Sequence, residues 1–365
     1  MVGRHGAPQR RIVILAEGEF GEEGSKTARG VLRYGRDPVV AVLDSTRAGR
    51  TVADIMGPGP RYDGVPILAD VAAALALPDP PDTLLIGIAP AGGKLPASWR
   101  PTILDALRAG MHVVSGLHTF LGDDPEFSAE AHAHGAHIED LRRPPERMEC
   151  AVGREHQPGK HVVLTVGTDC ALGKMSVALE LTTAARAAGL SATMLPTGQT
   201  GMMIEGWGVT IDRVAGDFLQ GTMEWLTEEA EARADWVFVE GQGSLDHLAY
   251  SAVTLGLIHG TTPEAMVMVH QPGREWHHEW ESAGEAARIK PLPALIGLHE
   301  AVAGLVRPSR VVAVALNTSL YPDELEARAV IQRTAAETAL PTDDPFRFGG
   351  ERLFAAVRAA LEPVA

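Results

Sequence analysis

Residues 167–174, GTDCALGK, could bind phosphate. They follow the apolar run HVVLTV (161–166) and precede a stretch whose apolar residues recur at helical spacing up to Gly189. A loop between a buried strand and a helix start directs unpaired backbone N–H groups and the positive end of the helix dipole at an anion, and Lys174 adds a full charge. We therefore predict a phosphate or cofactor site formed by Gly167, Thr168, Asp169, Cys170, Gly173, Lys174, Met175 and Ser176.

The spelling of this loop departs from the common Walker A form, G-x-x-x-x-G-K-[ST], in two places. Five residues separate Gly167 from Gly173, and Met175 rather than a hydroxyl residue follows the lysine, with Ser176 one place late. A magnesium role for Ser176 is weakened by that shift. The loop predicts a phosphate ligand without choosing between a nucleotide and the pyrophosphate of a coenzyme.

Two further stretches could bind a substrate. The segment PTGQTG follows a strand-like run and offers Thr197, Gln199, Thr200 and Gly201 to an anion or an amino-acid carboxylate, although it reads equally well as a glycine-rich turn. In VHQPGR, His270 and Arg274 end an apolar strand at the edge where open α/β sheets bind ligands. Arg274 could pair with a dicarboxylate in a bidentate manner or could simply be solvated.

Three other candidates have competing structural explanations. Asp217 in GDFLQG could complete a metal shell or cap a helix. Cys170 lies near a helix start, which lowers a thiol pKa, but a small packed residue is the favoured interpretation. The run His277-His278-Glu279 lacks the helical spacing of metal ligands and is interpreted as a polar loop.

The elements that must position these residues alternate between strand and helix patterns, which is typical of α/β proteins with mainly parallel sheets. We predict two doubly wound domains, an N-terminal Rossmann-like domain and a C-terminal P-loop NTPase-like domain. The boundaries are a flexible leader at 1–10, the first domain at 11–145, a proline-containing linker at 146–160 and the second domain at 161–365.

The first domain is not expected to bind NAD. Its first loop carries Gly18, Gly21 and Gly24 after a strand, with Asp44 closing the next strand, whereas a dinucleotide site needs G-x-G-x-x-G. Three glutamates in the same loop would also place negative charge beside a pyrophosphate.

Composition excludes several classes of partner. The formal charge of -15 argues against nucleic acid, and no apolar run reaches the roughly 18 residues of a membrane span. Two cysteines give neither a disulfide framework nor metal spacing. We expect a cytoplasmic homo-oligomer that acts on a small molecule.

The loop GTDCALGK resembles that of dethiobiotin synthetase, which has the same G-T-D start and the same five-residue gap. DWVFVEGQGS (235–244) is similar to that family's strand ending in Glu-Gly. This resemblance implies that Lys174 binds phosphate and that Glu240 has a metal or base role. If the enzyme uses ATP and magnesium, the metal ligands would be Ser176, Asp217 and Glu240.

A resemblance over nearly the full length rests on GTDCALGKMSVALEL, PTGQTGMMIEGWGVTIDRVAGDFLQG, VEGQGSLDHLAYSAVTLGLIHGTTPEAMVMVHQPGR and VLRYGRDPVVAVLD. These segments are similar to a family, formerly of unknown function, that pairs a Rossmann-like with a P-loop domain and includes D-glutamate N-acetyltransferase. The resemblance implies transfer of an acetyl group from acetyl-CoA to the amine of an acidic amino acid. For that reaction we expect Glu240 or His270 to remove the amine proton. The alternative is an ATP- and magnesium-dependent enzyme that activates a carboxylate, as a kinase or ligase. A nucleotide-sensing module without chemistry is a third possibility.

Overall fold

The computed structural model describes residues 9–88, residue 90 and residues 93–362, so most of the leader predicted at 1–10 lies outside the described residues. Two compact units divide the chain. The first contains residues 1–144 and 198–213, and the second contains residues 145–197 and 214–365.

Strands and helices are numbered along the whole chain. The strands are β1 (Ile12–Leu15), β2 (Val39–Leu43), β3 (Ile67–Leu68), β4 (Thr83–Ile86), β5 (His112–Ser115), β6 (Ile138–Asp140), β7 (His161–Gly167), β8 (Ala192–Leu195), β9 (Trp236–Val239), β10 (Ala265–His270), β11 (Arg310–Leu316) and β12 (Thr342–Asp343). The helices are α1 (Lys26–Tyr34), α2 (Ala53–Met56), α3 (Val71–Leu75), α4 (Arg100–Arg108), α5 (Pro125–Ala133), α6 (Lys174–Ala187), α7 (Gln199–Glu205), α8 (Gly216–Glu231), α9 (Ser251–Thr261), α10 (Leu292–Ala303), α11 (Glu324–Thr338), α12 (Pro345–Phe348) and α13 (Glu351–Leu361).

In the first unit, the described strands form a six-stranded parallel sheet in the order β3-β2-β1-β4-β5-β6. This order is the doubly wound arrangement of Rossmann folds. Strands β1 and β4 are buried along their whole length, which explains their continuous apolar sequences, because helices cover both faces of such a sheet. The prediction of a Rossmann-like first domain is confirmed.

The segment 198–213 lies between β8 and α8 in the chain but packs with the first unit. Thr200 Oγ1 is hydrogen-bonded to Thr27 Oγ1 at 2.8 Å, and Arg142 Nη2 donates to Gln199 Oε1 at 2.8 Å. The first unit is therefore formed by two stretches that are separated in the sequence.

Half of the stretch interpreted as a possible glycine-rich turn, residues 199–201, is helical. Gln199, Thr200 and Gly201 form the first turn of α7, with Gly198 as the extended residue before it. Glycine is a weak helix former, so the sequence did not indicate a helix here, and tertiary packing within the first unit overrides that preference.

In the second unit, the described strands form a parallel sheet in the order β12-β11-β10-β7-β9-β8. Strand β7 lies between β10 and β9, so residues at the carboxyl ends of these three strands converge at one edge of the sheet. Strand β9 therefore ends beside the loop that follows β7, and the α/β class of the second domain is confirmed.

Close backbone contact joins the ends of β7 and β9. Gly241 N donates to Thr165 Oγ1 at 2.9 Å, and a Cβ atom at Gly241 would lie 1.6 Å from the Thr165 carbonyl oxygen. Only glycine fits there. The glycine of the Glu-Gly pair after β9 is therefore required by this close contact, independently of any role of Glu240.

The interval 146–160, predicted as a linker, has neither helix nor strand. Its backbone is nevertheless anchored within the second unit, since the amides of Val152 and Arg154 donate to the Glu224 carboxylate at 3.0 and 2.7 Å. Across the described ranges of the chain, no helix is both long enough and apolar enough to cross a membrane.

Candidate functional site

The loop from Gly167 to Gly173 connects β7 to α6, as the sequence predicts. Its backbone turns through positive φ at Ala171 (53°) and Gly173 (101°). A Cβ atom at Gly173 would lie 2.5 Å from the Phe346 ring. The first backbone N–H groups of α6, at Lys174, Met175 and Ser176, belong to the helix turn that has no intrahelical acceptors, which is the arrangement that binds anions.

Lys174 is 5% exposed, and its Nζ donates to the Asp169 carbonyl oxygen at 2.6 Å. Burial lowers the pKa of this amine below its ordinary value, although Cys170 and Asp169 oppose the shift. Among the residues that the structure describes, Lys174 Nζ bonds to this main-chain oxygen alone, so the ammonium form would gain a stronger partner from an anion. The side chain is therefore placed to contact a ligand bound over the loop.

The carboxylate of Asp169 is the centre of the hydrogen-bond network. Its Oδ1 accepts from Cys170 N at 2.7 Å and from His277 Nδ1 at 3.1 Å, and its Oδ2 accepts from Arg274 Nη1 at 2.9 Å and His278 N at 2.8 Å. Burial raises the pKa of Asp169, but these hydrogen bonds outweigh it and hold the pKa below its usual value. The group is an acceptor-only carboxylate with four donors.

Arg274 is predicted to bind substrate carboxylates, but in this structure its guanidinium group is hydrogen-bonded to other residues of the protein. Its Nη1 donates to Asp169 Oδ2 and to the Cys170 carbonyl oxygen, and its Nε donates to Gln271 Oε1. Pairing with a substrate dicarboxylate remains a prediction, and it would have to compete with these contacts.

The two predicted bases lie on either side of β7. Glu240 follows β9, and its Oε2 accepts from Thr197 N at 2.9 Å. His270 ends β10, and its Nδ1 is 3.0 Å from Thr168 Oγ1. Burial lowers the pKa of His270 to about 4, with Arg274 adding to the effect, so the imidazole is neutral near pH 7. Both side chains are at the predicted edge of the sheet.

The four residues of PTGQTG that were proposed for substrate binding fall into different units. Thr197 belongs to the second unit and bonds to Glu240, whereas Gln199, Thr200 and Gly201 belong to the first. Gln199 and Thr200 already bond to side chains of the first unit.

Of the metal ligands proposed for an ATP-dependent enzyme, Ser176 is half-buried in the first turn of α6 and Asp217 is exposed in the first turn of α8. Asp217 does not cap its helix, because the residue at the cap is Ala215 and no side chain caps there. A magnesium role for these two residues and Glu240 remains a prediction.

Sequence reasoning missed three buried side chains next to Asp169. The side chains of Asp246 and His277 are 2% and 1% exposed, and that of His247 is 1% exposed. His277 lies in a loop, as predicted, but its ring is buried against Asp169 instead of being exposed. The motifs SLDH and WHHE show polar residues that could form a site. Up to 108 positions separate these residues from Asp169 in the sequence, so the sequence does not indicate that they lie together.

The cluster also contains a group with metal-ligand chemistry. Ligand atoms of Asp169, Cys170 and His247 lie within 4.8 Å of one another. However, the Asp169 carboxylate already accepts four hydrogen bonds, one of them from a guanidinium, and a carboxylate has about four lone-pair positions. The geometry does not favour a cation at this point.

In the first unit, the acidic residue that could bind the ribose of a dinucleotide is Asp44, and its carboxylate is already hydrogen-bonded within the protein. Asp44 is fully buried and accepts from the amides of Gly18, Phe20 and Thr46 at 3.0–3.2 Å. Burial raises the pKa of Asp44, yet the hydrogen bonds from Thr46, Gly18 and Phe20 keep it below its ordinary value. The carboxylate closes its own loop instead of facing a ribose.

Two family models match this sequence. One is described as a domain of unknown function (DUF1611_C), P-loop domain, and matches residues 149–354. The other is described as a domain of unknown function (DUF1611_N), Rossmann-like domain, and matches residues 45–144.

Characterised relatives carry one name. D-glutamate N-acetyltransferase of Tritonibacter scottomollicae is 36% identical over 281 residues, which is 76% of this chain and 81% of the relative. D-glutamate N-acetyltransferase of Pseudoalteromonas sp. is 35% identical over 279 residues, covering 75% and 80%. Both names support the N-acetyltransferase class that the resemblance implied.

A solved relative has the same fold throughout. The crystal structure of a protein from Anabaena variabilis matches with a TM-score of 0.87 at 41% identity, covering 96% of this chain and 99% of that one.

Proposed function

The chain belongs to the DUF1611 family of paired Rossmann-like and P-loop domains, and on that premise we propose that it transfers an acetyl group from acetyl-CoA to the amine of an acidic amino acid such as D-glutamate. The observation that carries this proposal is the 36% identity, over 76% of the chain, to a D-glutamate N-acetyltransferase.

The phosphate loop supplies the coenzyme site in this proposal. Coenzyme A carries a pyrophosphate, which suits backbone amides at the start of α6 and the buried ammonium of Lys174 as well as a nucleotide would. The loop then anchors the coenzyme, and the reacting thioester lies elsewhere along the same molecule.

The chemistry requires one nucleophilic attack. The amine nitrogen attacks the thioester carbonyl carbon, the C–N bond forms, the C–S bond breaks, and the amine proton passes through a base to the departing thiolate. Glu240 and His270 are the bases that the sequence offers. They lie at the edge of the sheet that also holds the phosphate loop.

The test is a pair of assays on the purified chain with D-glutamate and related amino acids. We expect coenzyme A release, detected as free thiol, to require both acetyl-CoA and the amino acid and to persist in EDTA. The alternative, ATP-dependent carboxylate activation, predicts magnesium-dependent release of ADP or phosphate that Glu240→Gln abolishes. EDTA-sensitive ADP release without thiol release would overturn the acetyltransferase proposal in favour of that alternative.

A further inference from the structure

Two buried acceptor atoms lie close together without a donor. Asp246 Oδ2 and His277 Nε2 are 3.7 Å apart, which is longer than a hydrogen bond. Neither atom has a hydrogen-bond partner among the residues that the structure describes. Buried polar atoms are usually paired, so each such exception requires an explanation.

The role of His277 Nδ1 follows from its neighbour. Asp169 is a carboxylate that can only accept, so His277 Nδ1 must donate the 3.1 Å hydrogen bond between them. In the neutral form of the ring, the proton therefore lies on Nδ1 and the lone pair on Nε2. That form of His277 offers an oriented proton acceptor, held in one tautomer by a carboxylate, an arrangement that serves a general base elsewhere.

The other oxygen of Asp246 is already used. Asp246 Oδ1 accepts from Ser244 Oγ at 2.6 Å, which fixes the carboxylate and leaves Oδ2 toward His277. Lys290 Nζ approaches Oδ2 only to 3.9 Å, and its side chain is 58% exposed. The pair of acceptors thus needs a compact donor that carries at least two polar hydrogens, and a primary amine is such a donor.

A metal ion fits this position less well than an amine does. His247 Nδ1 accepts from Ala249 N at 3.1 Å, so its Nε2 carries the proton and cannot ligate in that tautomer. The Asp169 carboxylate is filled by four donors, including the cationic Arg274. Around the two acceptors, the neighbouring groups present protons rather than lone pairs.

We propose that Asp246 and His277 bind the amine of the acceptor amino acid and that His277 Nε2 takes its proton. This inference rests on the proposed function. The carboxylate attracts the substrate as an ammonium, and His277 removes one proton so that the nitrogen lone pair can attack the thioester carbon. As the C–N bond forms and the C–S bond breaks, the coenzyme leaves as a thiolate, which accepts the proton that His277 holds. The neutral imidazole then takes the second proton from the new amide nitrogen and releases it to solvent. Glu240 and His270 already bond to Thr197 and Thr168.

The experiment measures amine recognition separately from turnover. Calorimetry with coenzyme A present compares D-glutamate with glutarate, which keeps both carboxylates and lacks the amine, in wild type, Asp246→Asn and His277→Gln. His299→Gln is the matched control, because His299 is also a fully buried histidine of the second unit with an unpartnered Nε2.

We expect wild type to bind D-glutamate more tightly than glutarate, and Asp246→Asn to remove roughly tenfold or more of D-glutamate affinity while glutarate affinity stays unchanged, because a charged hydrogen-bond partner is lost. His277→Gln should lower kcat by roughly a hundredfold or more, the usual contribution of a general base, with the KM for acetyl-CoA unchanged. His299→Gln should match wild type in all of these.

The contrary results are distinct. If Asp246→Asn and His277→Gln change only the melting temperature, as a purely structural pair would, the amine site is refuted while acetyl transfer stands. If zinc restores activity lost in dipicolinate, the cluster is a metal centre and the proposal is overturned. If wild type transfers no acetyl group but binds amines through Asp246, the proposed function fails and the amine site stands, whereas binding no amine refutes both.

Discussion

At the scale of single residues, Lys174 illustrates a conflict between stability and binding. Burial depresses its pKa, so folding favours the uncharged amine and the ammonium destabilises the ligand-free fold. Lys174→Met should therefore leave the melting temperature of the ligand-free protein unchanged or higher. Calorimetry should show that it weakens acetyl-CoA binding by about 2–5 kcal/mol, the range for truncating a buried charge pair.

A lysine outside the phosphate loop provides the control for that variant. Lys160 lies in the same unit and pairs with Asp235 at 2.9 Å, and Lys160→Met should leave the affinity unchanged. Equal affinity of Lys174→Met and Lys160→Met for the coenzyme would remove Lys174 from the phosphate site.

The sequence predicted the loop residues and the positions of Glu240 and His270 because each follows a strongly apolar strand. It did not predict the Asp169 network. Asp169, Asp246 and His277 come from three separate loops, and only the strand order of the sheet brings them together. Local pattern contains no information about partners that are distant in the chain.

At the scale of elements, both ends of α6 depend on glycine for different reasons. Gly173 and Gly189 have φ of 101° and 79°, but a Cβ would meet the Phe346 ring at Gly173 and nothing within 4 Å at Gly189. Left-handed backbone costs a non-glycine residue about 1–2 kcal/mol. Gly189→Ala should show about that loss in urea unfolding, and Gly173→Ala should show more.

The affinity for the coenzyme should also differ between these two variants. Gly173→Ala must shift either Phe346 or the loop, so we expect weaker coenzyme binding, whereas Gly189→Ala should bind as wild type does. Equal affinities in the two variants would show that the phosphate loop does not depend on the backbone turn at Gly173.

Long central elements were predictable, and short peripheral ones were not. Strands β1, β4, β7 and β10 are buried runs of four to seven residues, so apolar sequence alone identifies them. The edge strands β3 and β12 have two residues each, too few for any periodicity. Helix α9 was missed because its sequence, SAVTLGLIHGT, has no polar face that marks a helical repeat.

At the scale of the whole molecule, acid should destabilise the protein in a defined window. Burial lowers the pKa of His270 and of His299 to about 4, from an ordinary value of 6.5. Between these values the unfolded chain binds more protons than the folded one, so stability falls as pH decreases from about 6.5 to 4. We expect His299→Gln to melt with a weaker pH dependence across this window than wild type.

An exposed histidine is the comparison for that measurement. His132 lies on the solvent side of α5, and His132→Gln should keep the wild-type pH dependence. If His299→Gln and His132→Gln gave the same curve, the buried imidazole would not be a source of acid instability.

The Rossmann-like unit should not bind NADH. Asp44 is closed by three loop amides, and the loop around it is acidic, so neither a ribose hydroxyl nor a pyrophosphate finds a partner there. Fluorescence titration should show no saturation below millimolar NADH. Stoichiometric binding at micromolar concentration would contradict this prediction and revive an oxidoreductase role.

The return of residues 198–213 to the first unit has a consequence during synthesis. A ribosome releases the chain from its amino end, and domains generally fold in that order. Here the first unit cannot complete itself when residue 144 emerges, because Gln199 and Thr200, which bond to Arg142 and Thr27, are not yet made. Translation must pass β7, α6 and β8 before the last helix of the first unit arrives, so the nascent chain carries both units unfinished at once.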